Sequence, residues 1–195
     1  MIEYLIDYDI ACWVRLPRSF PLGGVPNENA WVELQLREFA AANGELSSED
    51  REAGAQLARL CLEGVSPASV EAFWFCPRAA PTSGVVNIQV QEIPPGVDPS
   101  LAEIFGSASA SLPPVVETLE TAALGPGVVV RRVVDIDRPG DRADVIGQVT
   151  FVFNPPGYLI IVDAIAMDLS VIGAMTPALL ALVDAISLVD GASIS

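Results

Sequence analysis

The sequence contains no histidine and no lysine, and its ten basic residues are all arginine. Each absence removes chemistry. Without His there is no Ser-His-Asp or Cys-His relay, and most catalytic zinc sites lose a usual ligand. Without Lys there is neither a Walker phosphate loop nor a Schiff base. No G-x-S-x-G elbow is present, and Gly125-Pro126-Gly127 reads as a turn rather than a dinucleotide fingerprint. The expectation is a chain that is not an enzyme and takes no cofactor.

Cysteine is scarce. Cys12, Cys61 and Cys76 lie in apolar surroundings at no metal-ligand spacing. An odd count without a secretory leader predicts reduced, buried thiols and a cytoplasmic location. The start, MIEYLIDYD, is acidic where a leader needs positive charge. Long apolar runs are missing too. The uncharged stretch Leu169–Val183, flanked by Asp168 and Asp184, is shorter than the ~18–20 residues of a membrane span. Positive charge is the largest deficit: 25 acids against 10 arginines give a formal net charge of −15. Such a surface disfavours nucleic acid and anionic membranes. It suits a basic protein partner, and equally it serves to keep an apolar protein soluble.

Apolar residues make up 51% of the 195 residues, and the mean hydropathy is +0.46. That excess predicts a large core, a buried interface, or both. The length suits one domain, with no internal repeat or interdomain linker.

The most ordered pattern lies between Gly127 and Asp168. Val128–Asp137, Val145–Asn154 and Tyr158–Asp168 read as three consecutive strands, joined by turns at Pro139-Gly140 and Pro156-Gly157. Pro followed by Gly suits a type II turn, whose second central residue needs a positive φ. Turns at Arg138–Asp141 and Pro155–Tyr158 would pair Phe153 with Ile160, Phe151 with Val162 and Val149 with Ala164. They would also pair Val130 with Val149 and Val128 with Phe151. In that register Arg132 points to the apolar face opposite Gly147 and is expected to reach Asp168.

Upstream, Met1–Leu16 alternates as a strand would, and a helix runs from an Asn27 or Asn29 cap to Gly44. Ser47 and Asp50 form a capping-box pattern. They open a second helix ending at Gly64, with Ala53, Leu57, Leu60 and Cys61 on its inner face. The two form a helical hairpin insertion at about 28–64. Glu71–Cys76, Gly84–Ile93 and Val115–Leu119 read as strands, Pro99–Ser107 as a short helix, and Leu124–Gly127 as a turn. A last helix is expected over Pro177–Val189, capped by Thr176 and apolar nearly all round. Packing on a sheet would hide Leu179, Leu182 and Val183. Leu180 and Leu188 would be left as candidate interface residues, met either by the hairpin or by a second copy of the chain.

The remaining candidate chemistry is acidic. Asp135, Asp137 and Asp163 are expected on one sheet face, where they could hold Mg²⁺ or Ca²⁺. As strand-end acids they could equally be solvated guards of a sheet edge. Trp13, Trp31 and Trp74 fit a core, or the lining of a ligand pocket.

In order of elements, the chain resembles the PsbP-like fold. The residues carrying the likeness are Trp13–Pro17 (WVRLP), Asn154–Tyr158 (NPPGY) within the meander, and Asp168 before the last helix. Photosystem II extrinsic subunits, a Ran-binding nuclear import factor and small bacterial proteins share that fold. The likeness implies action through binding and transfers no catalytic residue. The Arg-only, Ala-, Val- and Pro-rich composition resembles that of high-GC bacteria.

The fold class expected is α+β: a mainly antiparallel sheet with a C-terminal three-stranded meander, helices on one face and partial cover of the other. The function expected is non-catalytic protein binding, as an adaptor, a secretion accessory or an acidic toxin-neutralising protein. The alternatives are a small-ligand or lipid-binding domain and a carboxylate-dependent metal enzyme.

Overall fold

A computed structural model describes residues 3–94, 112–136 and 144–189. The short helix expected over Pro99–Ser107 and the turn at Pro139-Gly140 lie outside them. Seven strands form the main sheet: β2 (Trp13–Arg15), β3 (Glu71–Phe75), β4 (Val85–Glu92), β5 (Val115–Thr121), β6 (Gly125–Ile136), β7 (Asp144–Phe153) and β8 (Tyr158–Ala166). Their spatial order is β2-β3-β4-β8-β7-β6-β5, every pairing antiparallel. A separate ribbon pairs β1 (Glu3–Ile6) with β9 (Ile186–Val189). Among the described residues three α-helices accompany these strands: α1 (Glu28–Asn43), α2 (Ser48–Glu63) and α3 (Leu169–Asp184). The protein is an α+β fold around a large antiparallel sheet.

The expected single strand over Met1–Leu16 is in fact two. Asp9 bends the chain between them, its Oδ1 accepting the Ala11 N–H at 2.8 Å, which is the Asx-turn chemistry of a short carboxylate.

Two cores lie on opposite faces of the sheet because strand side chains alternate. The first face carries Phe73, Phe75, Val86, Ile88, Phe151 and Phe153, covered by Met175, Leu179, Leu182 and Val183 of α3. The second face, at the β2-β3-β4 end, carries Ala72, Trp74 and Val85 under Trp31, Val32, Leu36 and Phe39 of α1 and Ala58 and Cys61 of α2. Helices therefore cover both faces, the hairpin packing on one core and α3 on the other.

The hairpin caps form as expected. The Asn27 side chain accepts the Ala30 N–H at 3.0 Å, and the Ser47 hydroxyl accepts the Asp50 N–H at 3.1 Å. Gly44 closes α1 with a φ of 96°, which glycine adopts without strain. The inner face of α2 is Gly54, Ala58 and Cys61. Ala53 and Leu60 face outward instead, since small residues at 54 and 58 let α2 sit close against α1. A Cβ on Gly54 would stand 3.0 Å from a Leu36 methyl.

The β7–β8 register is the one expected, with Phe153 opposite Ile160, Phe151 opposite Val162 and Val149 opposite Ala164. The turn that sets it has Gly157 at a φ of 82° and the Tyr158 N–H donating to the Pro155 carbonyl at 2.9 Å. The β6–β7 register differs from the expected one by a residue. Val129 faces Phe151, Val128 faces Val152 and Val130 faces Thr150. Arg132 consequently points to the second face, and its Nε donates to Gln148 Oε1 at 2.8 Å. The expected reach to Asp168 is overturned by this one-residue shift. The turn expected at Leu124–Gly127 also moves, because Gly125–Ile136 is already strand.

The last helix begins at Leu169, eight residues before its expected start. Asp168 caps it, accepting the Ser170 N–H at 2.8 Å; the Ser170 hydroxyl first, and then that N–H, hold its carboxyl below the usual range. Pro177 lies inside the helix, on its exposed side. It lacks an N–H, and its ring crowds the carbonyl one turn back. The carbonyl left without a partner is that of Gly173, on the exposed side where water can reach it, and the Thr176 hydroxyl donates to the neighbouring Ile172 carbonyl at 2.8 Å. The helix stops at Asp184, and residues 186–189 form β9 rather than its last turn.

Candidate binding surfaces

Two of the three candidate metal ligands, Asp135 and Asp163, are not brought together. Asp135 is opposite Val145 and Asp163 opposite Thr150, so the two carboxylates occupy opposite faces of the sheet. Asp137 lies outside the described residues. Asp163 accepts hydrogen bonds from Gln148 Nε2 at 2.7 Å and Thr150 Oγ1 at 2.6 Å. Together with Arg132 they make a polar chain across β6, β7 and β8. Among the described residues no group of three or more His, Cys, Asp or Glu side chains is placed to hold a metal.

The tryptophans are core residues. Trp74 is fully buried, with the Trp31 ring centroid 6.2 Å away and the Phe39 ring edge-on at 5.5 Å. Trp13 packs on Phe75 at 5.3 Å on the other face.

Burial pushes the thiols of Cys61 and Cys76 up to about 12, with the neighbouring Cys76 adding to the effect on Cys61. A thiol so held is a poor nucleophile, since the thiolate is the reactive form. Cys12 is only half-buried, though burial and then the hydrogen bond to Asp9 raise it as well. Titration of the native protein with Ellman's reagent is therefore expected to count one thiol that reacts slowly but ahead of the other two, rising to three in denaturant. Rapid reaction of two or more native thiols would contradict the burial.

Among the described residues, three surfaces stand out where apolar side chains meet solvent. The first is the outer face of α3. Leu169 and Leu180 are 47% and 41% exposed, and Gly173, Ala174, Pro177 and Ala181 complete the face. No charged side chain interrupts the helix before Asp184. The candidate interface residues thus part company. Leu180 is on this face, whereas Leu188 pairs opposite Tyr4 in the β1–β9 ribbon and packs against the core. Continuing the helical reading past Asp184 had placed Leu188 beside Leu180.

The second surface is a groove of about 270 Å³ between α2 and the sheet, lined by Leu60, Cys61, Val85, Ile146, Ile165 and Met167. The third is β5 at the sheet edge, whose Val115 and Val116 are 54% and 52% exposed. Neither was legible in the sequence, because both depend on the long-range order of the strands. A larger opening of about 530 Å³ beside the hairpin is lined by Arg18, Phe20, Glu28 and Glu63. Arg18 there is committed to structure, donating to the Val70 carbonyl.

The fold and these surfaces define an α+β protein with exposed apolar faces. No family model matches the sequence, and no curated protein matches it. Among solved structures the fold is similar to the solution structure of cyanobacterial PsbP from Synechocystis sp. PCC 6803. The two are 15% identical, covering 64% of this chain and 76% of that one, with a TM-score of 0.41. The likeness is distant and is one of fold alone. Among the described residues no helix is long and apolar enough to cross a membrane.

Proposed function

We propose that this protein works by binding another protein, without catalysis, and that the outer face of α3 is the contact. One observation carries the reading: a helix free of charged side chains from Leu169 to Val183 leaves a whole face in solvent. Each large apolar side chain left in water forgoes roughly 1.5–3 kcal/mol of possible burial. Leu169 and Leu180 stand near the two ends of a face of small apolar residues that no charge interrupts, and such a face favours association. The small residues Gly173, Ala174 and Ala181 would let a second helix approach closely, and a second copy of α3 is the occupant proposed. Light scattering on a size-exclusion column at micromolar concentration should find a dimer, and Leu180→Glu should return it to a monomer. A wild-type monomer removes the second copy as occupant.

The groove beside α2 supports a second reading, a small apolar ligand. Its volume of about 270 Å³ lies just below the roughly 300–1,000 Å³ of drug-sized sites, so the ligand would be small. A fluorescent apolar probe should bind the wild type and be lost in Ile165→Glu. Equal emission from both proteins counts against this reading.

A further inference from the structure

We propose that β5 accepts an extended, arginine- or lysine-bearing segment of a partner protein as an eighth strand of the main sheet. Among the described strands β5 pairs only with β6. Antiparallel pairing turns the N–H and C=O groups of alternate residues toward the neighbour and those of the others outward. A strand of seven residues therefore presents an outward row of donors and acceptors that another chain can satisfy. The opposite edge, β2, has three residues and offers a much shorter row.

Access and composition agree with that role. Val115 and Val116 are consecutive, so their side chains lie on opposite faces, and each is more than half exposed. Among the described residues no other strand pairs with that end. Valine, threonine and leucine fill most of the strand, no proline occurs from Val115 to Thr121, and no lysine guards the edge. The only charges are Glu117 and Glu120, three residues apart and so on opposite faces. Glu117 already pairs with Arg131 of β6, which shows that this edge takes a guanidinium.

Charge selects the occupant. Pairing β5 with a second copy would place four acids along one ribbon between two molecules of net charge −15. A segment with cations spaced three apart would instead set one beside each glutamate, and the field of the whole protein would speed its arrival. This is a different surface from the α3 face, and it stands or falls separately.

The probe is a fluorescein-labelled peptide, Val-Thr-Arg-Val-Thr-Arg-Val-Thr, followed by anisotropy against the full chain at low and high salt. Two twins accompany it, one with Glu for both Arg and one N-methylated at alternate residues along a single edge. The Arg peptide is expected to bind at least about tenfold more tightly than either twin, and to weaken in salt. Glu117→Arg with Glu120→Arg should transfer that preference to the Glu peptide, while Leu180→Glu leaves it unchanged. Equal binding of the N-methylated twin would show a charge contact without strand addition and overturn the proposal. Absence of saturable binding by the Arg peptide would also overturn it, leaving the two glutamates as guards against aggregation.

Discussion

Phe151→Ala is expected to cost about 3–5 kcal/mol, as large-to-small changes in a packed core do. Phe151 is 1% exposed on β7, with Val129 opposite it on β6 and Val162 on β8. It belongs to the core that α3 covers. Removing the ring leaves a cavity between strands whose backbones are held by ladders on both sides, so the site cannot collapse to refill it. For a chain of this size each kcal/mol shifts the melting temperature by roughly 2–4 °C, so the loss should be plain in a thermal scan. The companion substitutions test the register. Val129→Ala should be non-additive with Phe151→Ala, because the two side chains share a face. Val128→Ala, on the other face, should add to it simply. A loss below about 1 kcal/mol, or the reverse pattern of coupling, would mean that β6 pairs otherwise.

That substitution also marks where the sequence was legible and where it was not. Between β7 and β8 the turn itself sets the register, because Gly157 supplies a positive φ and the loop is too short to slip. Between β6 and β7 the described ladder runs as far as Ile136 opposite Asp144, and the turn expected at Pro139-Gly140 lies outside the described residues. The apolar pattern could not arbitrate, because Val128, Val129 and Val130 are consecutive and both Val129 and Val130 are buried. A strand buried on both faces reads as a continuous apolar run.

The helices show the same division. Asn27, Ser47, Gly44 and Gly64 announced α1 and α2 because their caps are local hydrogen bonds. Pro177 misplaced the start of α3, since proline is common at a first turn and uncommon three turns in. Its position on the solvent side is a tertiary fact. Ile186–Val189 could extend an apolar helix or form a strand, and only the distant partner Glu3–Ile6 decides. The binding surfaces depend on that same long-range order. Leu180 could be picked from helical periodicity, but no local signal makes β5 an edge.

Stability is expected to fall steeply above pH 9, and two buried thiols are the reason. In the folded protein Cys61 and Cys76 keep their protons to about 12, against an ordinary value of 9.0. Burial is the main cause in both, since an apolar core does not solvate a thiolate. In the unfolded chain both thiols ionise near the ordinary value. Between about pH 9 and 12 the folded state therefore holds more protons than the unfolded state. Stability is full below that window and declines through it as the pH rises. Each thiol contributes a slope of roughly 1.4 kcal/mol per pH unit, so the pair removes roughly 4 kcal/mol by pH 10.5. That is a large share of the roughly 5–15 kcal/mol that holds a domain together. Urea midpoints measured from pH 7 to 11 should follow this decline. The double variant Cys61→Ala, Cys76→Ala should start lower, because both side chains leave small voids in the core under the hairpin, and should then fall less steeply. Its curve should approach the wild-type curve as the pH rises. Parallel curves for the two proteins would show that the thiols ionise no later in the folded state, and so that this core is open to water.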